Sequence, residues 1–184
     1  MEKNFQTPPW VCDLMVSLVD GSPKRILEPT PGKGNLVAAI RRKFPFAEIS
    51  AVQTDFISYV PDIHFDCVIA NPPFSPMSLG FFFLLRFFDF STNVIALMPW
   101  FILINSKKRT RILKDRGLCQ IIHLPRSVFP KSRVQTCIMK FVEGYKEDIQ
   151  LRLVIQEPSA HHWSFVPELL TSLPPFKAFC EMIR

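Results

Sequence analysis

Residues 67–76 read CVIANPPFSP. Cys67 to Ala70 are strand formers without a polar break, the pattern of a strand buried on both faces. The run then stops at Asn71, followed by Pro72, Pro73 and Phe74. Proline fixes φ and removes a backbone donor, so two in succession make a rigid turn. They also restrict Asn71, the residue before a proline. A polar amide is thereby held at the end of a buried strand, with acceptor carbonyls beside it and an aromatic ring after it. Pro-Pro-aromatic alone carries little, because TPPW (7–10) and LPPF (173–176) repeat it. What distinguishes residues 71–74 is the asparagine at a strand end.

On either side of this turn, two kinds of periodicity alternate. Helical spacing is read at 10–20, 35–44, 78–90 and 105–117, with Asn105 or Ser106 as N-cap and Gly117 as the stop of the last. Strands are read at 24–29, 47–53, 65–70, 93–99, 118–125 and 134–143, and 149–156 adds one more. This order predicts an α/β fold, a mostly parallel sheet covered on both faces. No helix is read between the strands at 118–125 and 134–143, so they form an antiparallel hairpin at one edge. Open parallel sheets bind ligands beyond the carboxyl ends of their strands. Those ends carry EPTPGKGN (28–35), TDF (54–56), NPPF (71–74) and PWF (99–101).

In EPTPGKGN, Gly32 and Gly34 stand between a strand and a helix, where glycine lets the backbone turn tightly and come close to a ligand. It is neither a full G-x-G-x-x-G nor a P-loop, since Val37 fills the last place of the first and Gly34 follows Lys33 in the second. Glu28, acidic and facing a helix N-terminus, repels a diphosphate and suits a cationic or hydroxyl-bearing ligand. S-adenosylmethionine carries an ammonium and a sulfonium. The amide of Asn71 and the carbonyl of Pro72 match an exocyclic amine with its two N–H donors. Phe74 supplies a face for the flat ring bearing that amine.

These residues, in this order, resemble the amino-group DNA methyltransferases, specifically the N6-adenine enzymes. FQTPPWVCDLMV (5–16) looks like that family's N-terminal cofactor motif, ILEPTPGKGNL (26–36) its glycine motif and NPPF its catalytic tetrad, the gamma-type order. Residues 5–145, with ALMPWF, LPRSVFP and VQTC, look most like small methylases of phages or mobile elements. The resemblance implies a Rossmann-like S-adenosylmethionine-dependent methyltransferase fold and transfer of a methyl group to an adenine flipped out of DNA. It gives Asn71, Pro72, Pro73 and Phe74 the catalytic role. It places Phe5, Thr7 and Pro8 near the methionine part of S-adenosylmethionine, and Glu28, Pro29, Gly32 and Gly34 around its pocket. Asp55 and Phe56 match the motif that meets the cofactor adenine.

Two departures stand out. Between Gly34 and Asn71 there is room for one helix and one strand, where the family places two strands, so the fold is compressed by one βα unit. The acid that meets the ribose hydroxyls has no clear counterpart; Gln53 and Asp55 are the alternatives. Residues 1–184 read as a single methyltransferase domain without a separate target-recognition domain, so either sequence specificity is low or a loop, a specificity subunit or a homo-oligomer supplies it.

The formal charge of +6 favours a nucleic-acid partner. RRK (41–43) and KKRTR (107–111) are its basic clusters, each a partner surface or a solvated helix face. Lys131 and Arg133 lie in a polar stretch suited to phosphates. Trp100 and Phe101 either flank the mouth through which the target base enters or pack in the interior. His161 and His162 have no third ligand at metal spacing. Five cysteines without a CxxC read as buried thiols of a reducing, cytoplasmic compartment. The longest apolar run, LGFFFLLRFF (79–88), is too short to span a bilayer. Two other readings stand beside the DNA enzyme. One is methylation of an RNA base or a protein glutamine. The other is a catalytically inert nucleic-acid-binding subunit.

Overall fold

The computed structural model of the protein describes residues 6–52, 56–60, 63–130, 132 and 134–155. Its elements, in chain order, are α1 (Pro9–Ser17), β1 (Arg25–Glu28), α2 (Asn35–Lys43), β2 (Glu48–Ala51), β3 (Cys67–Ala70), α3 (Met77–Phe87), β4 (Asn93–Pro99), α4 (Phe101–Ile104), α5 (Lys107–Asp115), β5 (Leu118–His123), β6 (Thr136–Val142) and β7 (Gln150–Leu153). The strands form one sheet in the order β2-β1-β3-β4-β6-β5-β7. β1, β2, β3 and β4 run parallel, β6 is antiparallel to both β4 and β5, and β7 is parallel to β5.

Alternation along each strand sends neighbouring residues to opposite faces. Ile26, Ile69, Ile95, Leu97 and Ile138 meet α1 and α2 through Val11, Met15, Leu36 and Ile40. Leu27, Val68, Val94, Met98 and Phe141 meet α3, α4 and α5 through Leu84, Phe87, Ile102 and Leu113. Every residue of β3 is buried, as a strand covered on both faces requires. Each fully buried Phe or Ile here contributes about 1.5–3 kcal/mol of apolar burial.

Local signals set the helix starts. Pro9 occupies the first turn of α1, where a missing N–H costs nothing. Ser106 caps α5 by accepting the N–H of Arg109, so of the two expected caps the serine is used. Asn105 instead ends α4, a short helix at residues whose composition shows no helical period. Among the described residues β2 is the strand between β1 and β3, at the sheet edge, as the short interval after Gly34 implies. The hairpin of β5 and β6 forms. β6 fits between β4 and β5, and β7 continues the sheet beyond it. Among the described residues no helix is long and apolar enough to cross a membrane.

Candidate active site

β1 ends at Glu28, and the chain turns through Pro29–Gly34 into α2. Gly32 and Gly34 have φ of +52° and +86°, a region that side-chain-bearing residues avoid. At Gly34 a Cβ would meet nothing within 4 Å, so the backbone angle alone demands glycine there. At Gly32 a Cβ would also press on the Gln6 amide, 3.2 Å away. Gln6 Oε1 accepts the N–H of Lys33 at 2.9 Å, and Asn35 Nδ2 donates to the Thr7 carbonyl at 2.9 Å. The segment before α1 is thereby tied down onto the glycine turn.

The same segment holds the asparagine turn. Asn71, at the end of β3, donates from Nδ2 to Thr7 Oγ1 at 2.9 Å. Thr7 is buried, while Asn71 is partly exposed. Among the described residues Thr7 is the partner of the Asn71 amide, whose Oδ1 stays available to an incoming donor. Pro72 is buried, Pro73 exposed, and Phe74 partly buried against the α1–α2 side of the core. Behind the turn, α3 comes so close that a Cβ on Gly80 would stand 2.8 Å from the Pro73 carbonyl oxygen.

Both turns open on one cleft of about 1460 Å³ at the carboxyl edge of the sheet. Pro29, Gly32, Gly34, Asn71 and Phe74 are on its wall, as are Phe56 and Phe83. Sites for one small molecule measure roughly 300–1,000 Å³, so this cleft has room for a nucleoside-sized ligand and a second planar group. Arg41 and Arg42 also line it, and Arg42 bridges to Asp13 of α1 at 2.6 Å.

Glu28 sits behind the glycine turn, 1% exposed. Its Oε1 accepts both the N–H and the hydroxyl of Thr30, at 2.8 and 3.2 Å. No described cation pairs with it. Burial raises its pKa from 4.5 to about 7, and the Thr30 bonds offset part of that rise. The folded chain therefore keeps a proton that the unfolded chain releases, so this stabilisation is full below 4.5 and is lost as pH rises through about 7. Glu28→Gln should flatten the pH dependence of urea unfolding across that window and add about 3 kcal/mol at alkaline pH. An unchanged pH slope would show that Glu28 titrates normally.

The remaining expected residues are placed as follows. Pro8 precedes α1 and its carbonyl accepts the N–H groups of Val11 and Cys12, both at 3.0 Å. Phe56 is buried, with its ring 5.3 Å from that of Phe83. Trp100 packs edge-on to His123 at 5.3 Å and is not on the cleft wall. Phe5, Gln53, Asp55, Lys131, Arg133, His161, His162 and Cys180 lie outside the described residues. Cys12, Cys67, Cys119 and Cys137 are free and buried, and burial pushes Cys12 and Cys67 up to about 12. Gln6 and Asn35 gain positioning roles that no local pattern indicated.

This sheet order, with two turns meeting at its carboxyl edge, is the Rossmann-like fold of the S-adenosylmethionine-dependent methyltransferases. Among solved structures, the chain is similar to a chain described as a modification subunit of a type I restriction enzyme from Vibrio vulnificus, with TM-score 0.69 and 15% identity over 98% of this chain and 52% of that one. It thus spans about half the length of that subunit. A chain described as a class I S-adenosylmethionine-dependent methyltransferase from Listeria monocytogenes gives TM-score 0.64 and 15% identity over 86% of this chain and 70% of that one. The 23S rRNA methyltransferase ErmE gives 0.55 and 16% over 77% and 71%. No protein-family profile matches the chain, and no curated protein does.

Proposed function

We propose that the chain transfers a methyl group from S-adenosylmethionine to the N6 amine of an adenine flipped out of DNA. The observation that carries this reading is the placement of Asn71. Its amide nitrogen is held by Thr7, and it stands on the same cleft wall as the glycine turn.

The residues present fit the cofactor. Gly32 and Gly34 leave the start of α2 open to a ligand, and Glu28 is a buried carboxyl without a described cation. The residues around Gly32 and Gly34 on the cleft wall would hold it, with the Glu28 carboxyl buried behind that turn. Bound there, S-adenosylmethionine supplies an electrophilic methyl group. The protein's own part is orientation. Asn71 Oδ1 and the Pro72 carbonyl accept the two N–H groups of the adenine amine, drawing the nitrogen toward tetrahedral geometry and freeing its lone pair. Phe74 stacks on the purine. The methyl group would come from the sulfonium, which would be left as a neutral thioether, and the amine nitrogen would release one proton to water. A neutral nitrogen nucleophile needs no strong base, so proximity and orientation supply most of the rate. Extrusion of the base requires a few kcal/mol of unstacking, supplied by contacts to the strand. Selection of the target sequence is assigned to a separate specificity subunit or a second copy of the chain. The first assignment is supported by the likeness to a modification subunit.

Product analysis tests the reaction. The full chain is incubated with S-adenosylmethionine and unmethylated DNA, the DNA is digested, and the nucleosides are separated by mass spectrometry, with an RNA substrate beside it. N6-methyladenine from DNA is the expected product. A blank on both substrates, with no cofactor binding by calorimetry, overturns the enzyme reading and leaves the inert binding subunit. Methylated RNA alone moves the acceptor to RNA.

Thr7→Val should lower kcat roughly 10–100-fold with little change in KM for DNA, because it frees the Asn71 amide to rotate. Leaving Nδ2 without its acceptor should also lower stability by about 1 kcal/mol. If kcat is retained, Thr7 does not position Asn71.

A further inference from the structure

The exposed face of α5 is a strongly charged surface that the proposed reaction leaves unused. Lys107, Lys108, Arg111 and Lys114 are exposed on a helix whose sole acid is Asp115, at its far end. None of these four has a carboxylate partner among the described residues. The placement opposes local stability. Helix N-termini favour acids and disfavour cations, yet the first turn of α5 has no acid and begins with two lysines. A merely solvated helix would gain by the reverse arrangement.

Position supplies the second observation. α5 begins just after the carboxyl end of β4, at the same sheet edge as the cleft. Its first turn is fixed in place. The Arg109 guanidinium lies over the Phe81 ring, 5.3 Å from its centroid. Phe81 follows Gly80, the residue packed on the Pro73 carbonyl. A short series of contacts therefore joins the basic helix to the asparagine turn.

We propose that Lys107, Lys108, Arg111 and Lys114 form a track for the phosphate backbone of duplex DNA, holding the strand beside the cleft. This rests on the reading that the cleft receives a base from DNA. Each lysine or arginine that neutralises a phosphate releases condensed counterions, so the track makes a definite contribution to the salt dependence of binding.

The test is fluorescence anisotropy of a labelled DNA duplex with the full chain, without cofactor, over a series of salt concentrations. The variant Lys107→Glu/Lys108→Glu/Arg111→Glu should bind about 100-fold more weakly at low salt, with the slope of log K against log salt reduced by about 3. A charge-matched variant at the opposite sheet edge, Lys24→Glu/Lys43→Glu/Lys146→Glu, should retain binding within about fivefold. Circular dichroism and thermal unfolding verify that both variants fold. Binding by the first variant within about threefold of the parent, or equal loss in the second, overturns the track. Duplex RNA that binds more tightly than DNA through the same residues overturns DNA as the occupant. The two proposals fail separately. A parent chain that binds DNA through α5 but yields no methylated base removes the reaction and keeps the track. Unchanged methylation and binding by the α5 variant do the reverse.

Discussion

Asn71→Ala is expected to reduce methyl transfer to DNA by about 100–1,000-fold, the scale seen when one preorganised polar contact to a reacting centre is removed. The substitution deletes the acceptor for one N–H of the adenine amine and frees the nitrogen to stay flat, its lone pair delocalised into the ring. Cofactor affinity should stay within about twofold, because the glycine turn is held by Gln6 and Thr7 independently of the Asn71 side chain. Folding should be nearly unaffected, since Asn71 is partly exposed and makes one described side-chain bond, to Thr7. Single-turnover transfer of a labelled methyl group, with cofactor binding by calorimetry beside it, separates these quantities. Residual turnover within tenfold of the parent would sink the catalytic role of the asparagine turn.

The largest effect on stability is expected at Gly117. Its φ is +79°, and a Cβ there would stand 1.9 Å from the Val142 carbonyl oxygen, a backbone atom that cannot swing aside. That oxygen belongs to the last residue of β6, and Val142 also donates its N–H to the Gly117 carbonyl at 3.0 Å. Gly117→Ala must therefore adopt an unfavoured backbone angle and also push apart the β5–β6 pair. The combined cost is about 3–5 kcal/mol, a large part of a typical domain's stability. Gly144 provides the control. Its φ is +81° with nothing within 4 Å of a Cβ, so Gly144→Ala should cost only about 1–2 kcal/mol. Urea unfolding of both variants measures the difference. Equal losses would mean that strand β6 yields at Val142.

Most elements were legible because each has a period of its own. The apolar runs that become β3 and β4 cannot face water, and the amphipathic run of α2 has one buried side and three basic residues at its end. The insertion of β6 between β4 and β5 was not legible. The pattern shows that 134–143 is a strand, but its neighbours are chosen by burial on both faces, which involves residues far away in the chain. At the site, Asn71 stood out because an amide directly after an apolar strand has few structural uses, and Gly34 because it and Gly32 fill the turn between a strand and a helix. The Thr7 hydroxyl did not. A hydrogen bond across 64 residues leaves no local trace, and the resemblance marked Thr7 for the cofactor rather than as the partner of Asn71. Gln6 and Asn35 escaped for the same reason.

The pairing of β4 has a consequence for synthesis. A ribosome delivers Thr7 64 residues ahead of the asparagine it must hold. It delivers β4 well before Thr136–Val142, which pair with it at seven positions. Until those residues have left the exit tunnel, β4 lacks one of its two neighbours and shows an apolar edge to any chaperone nearby. Chains that have not yet exposed Thr136–Val142 are thus adhesive along β4, and the emergence of those residues is the step that covers that edge.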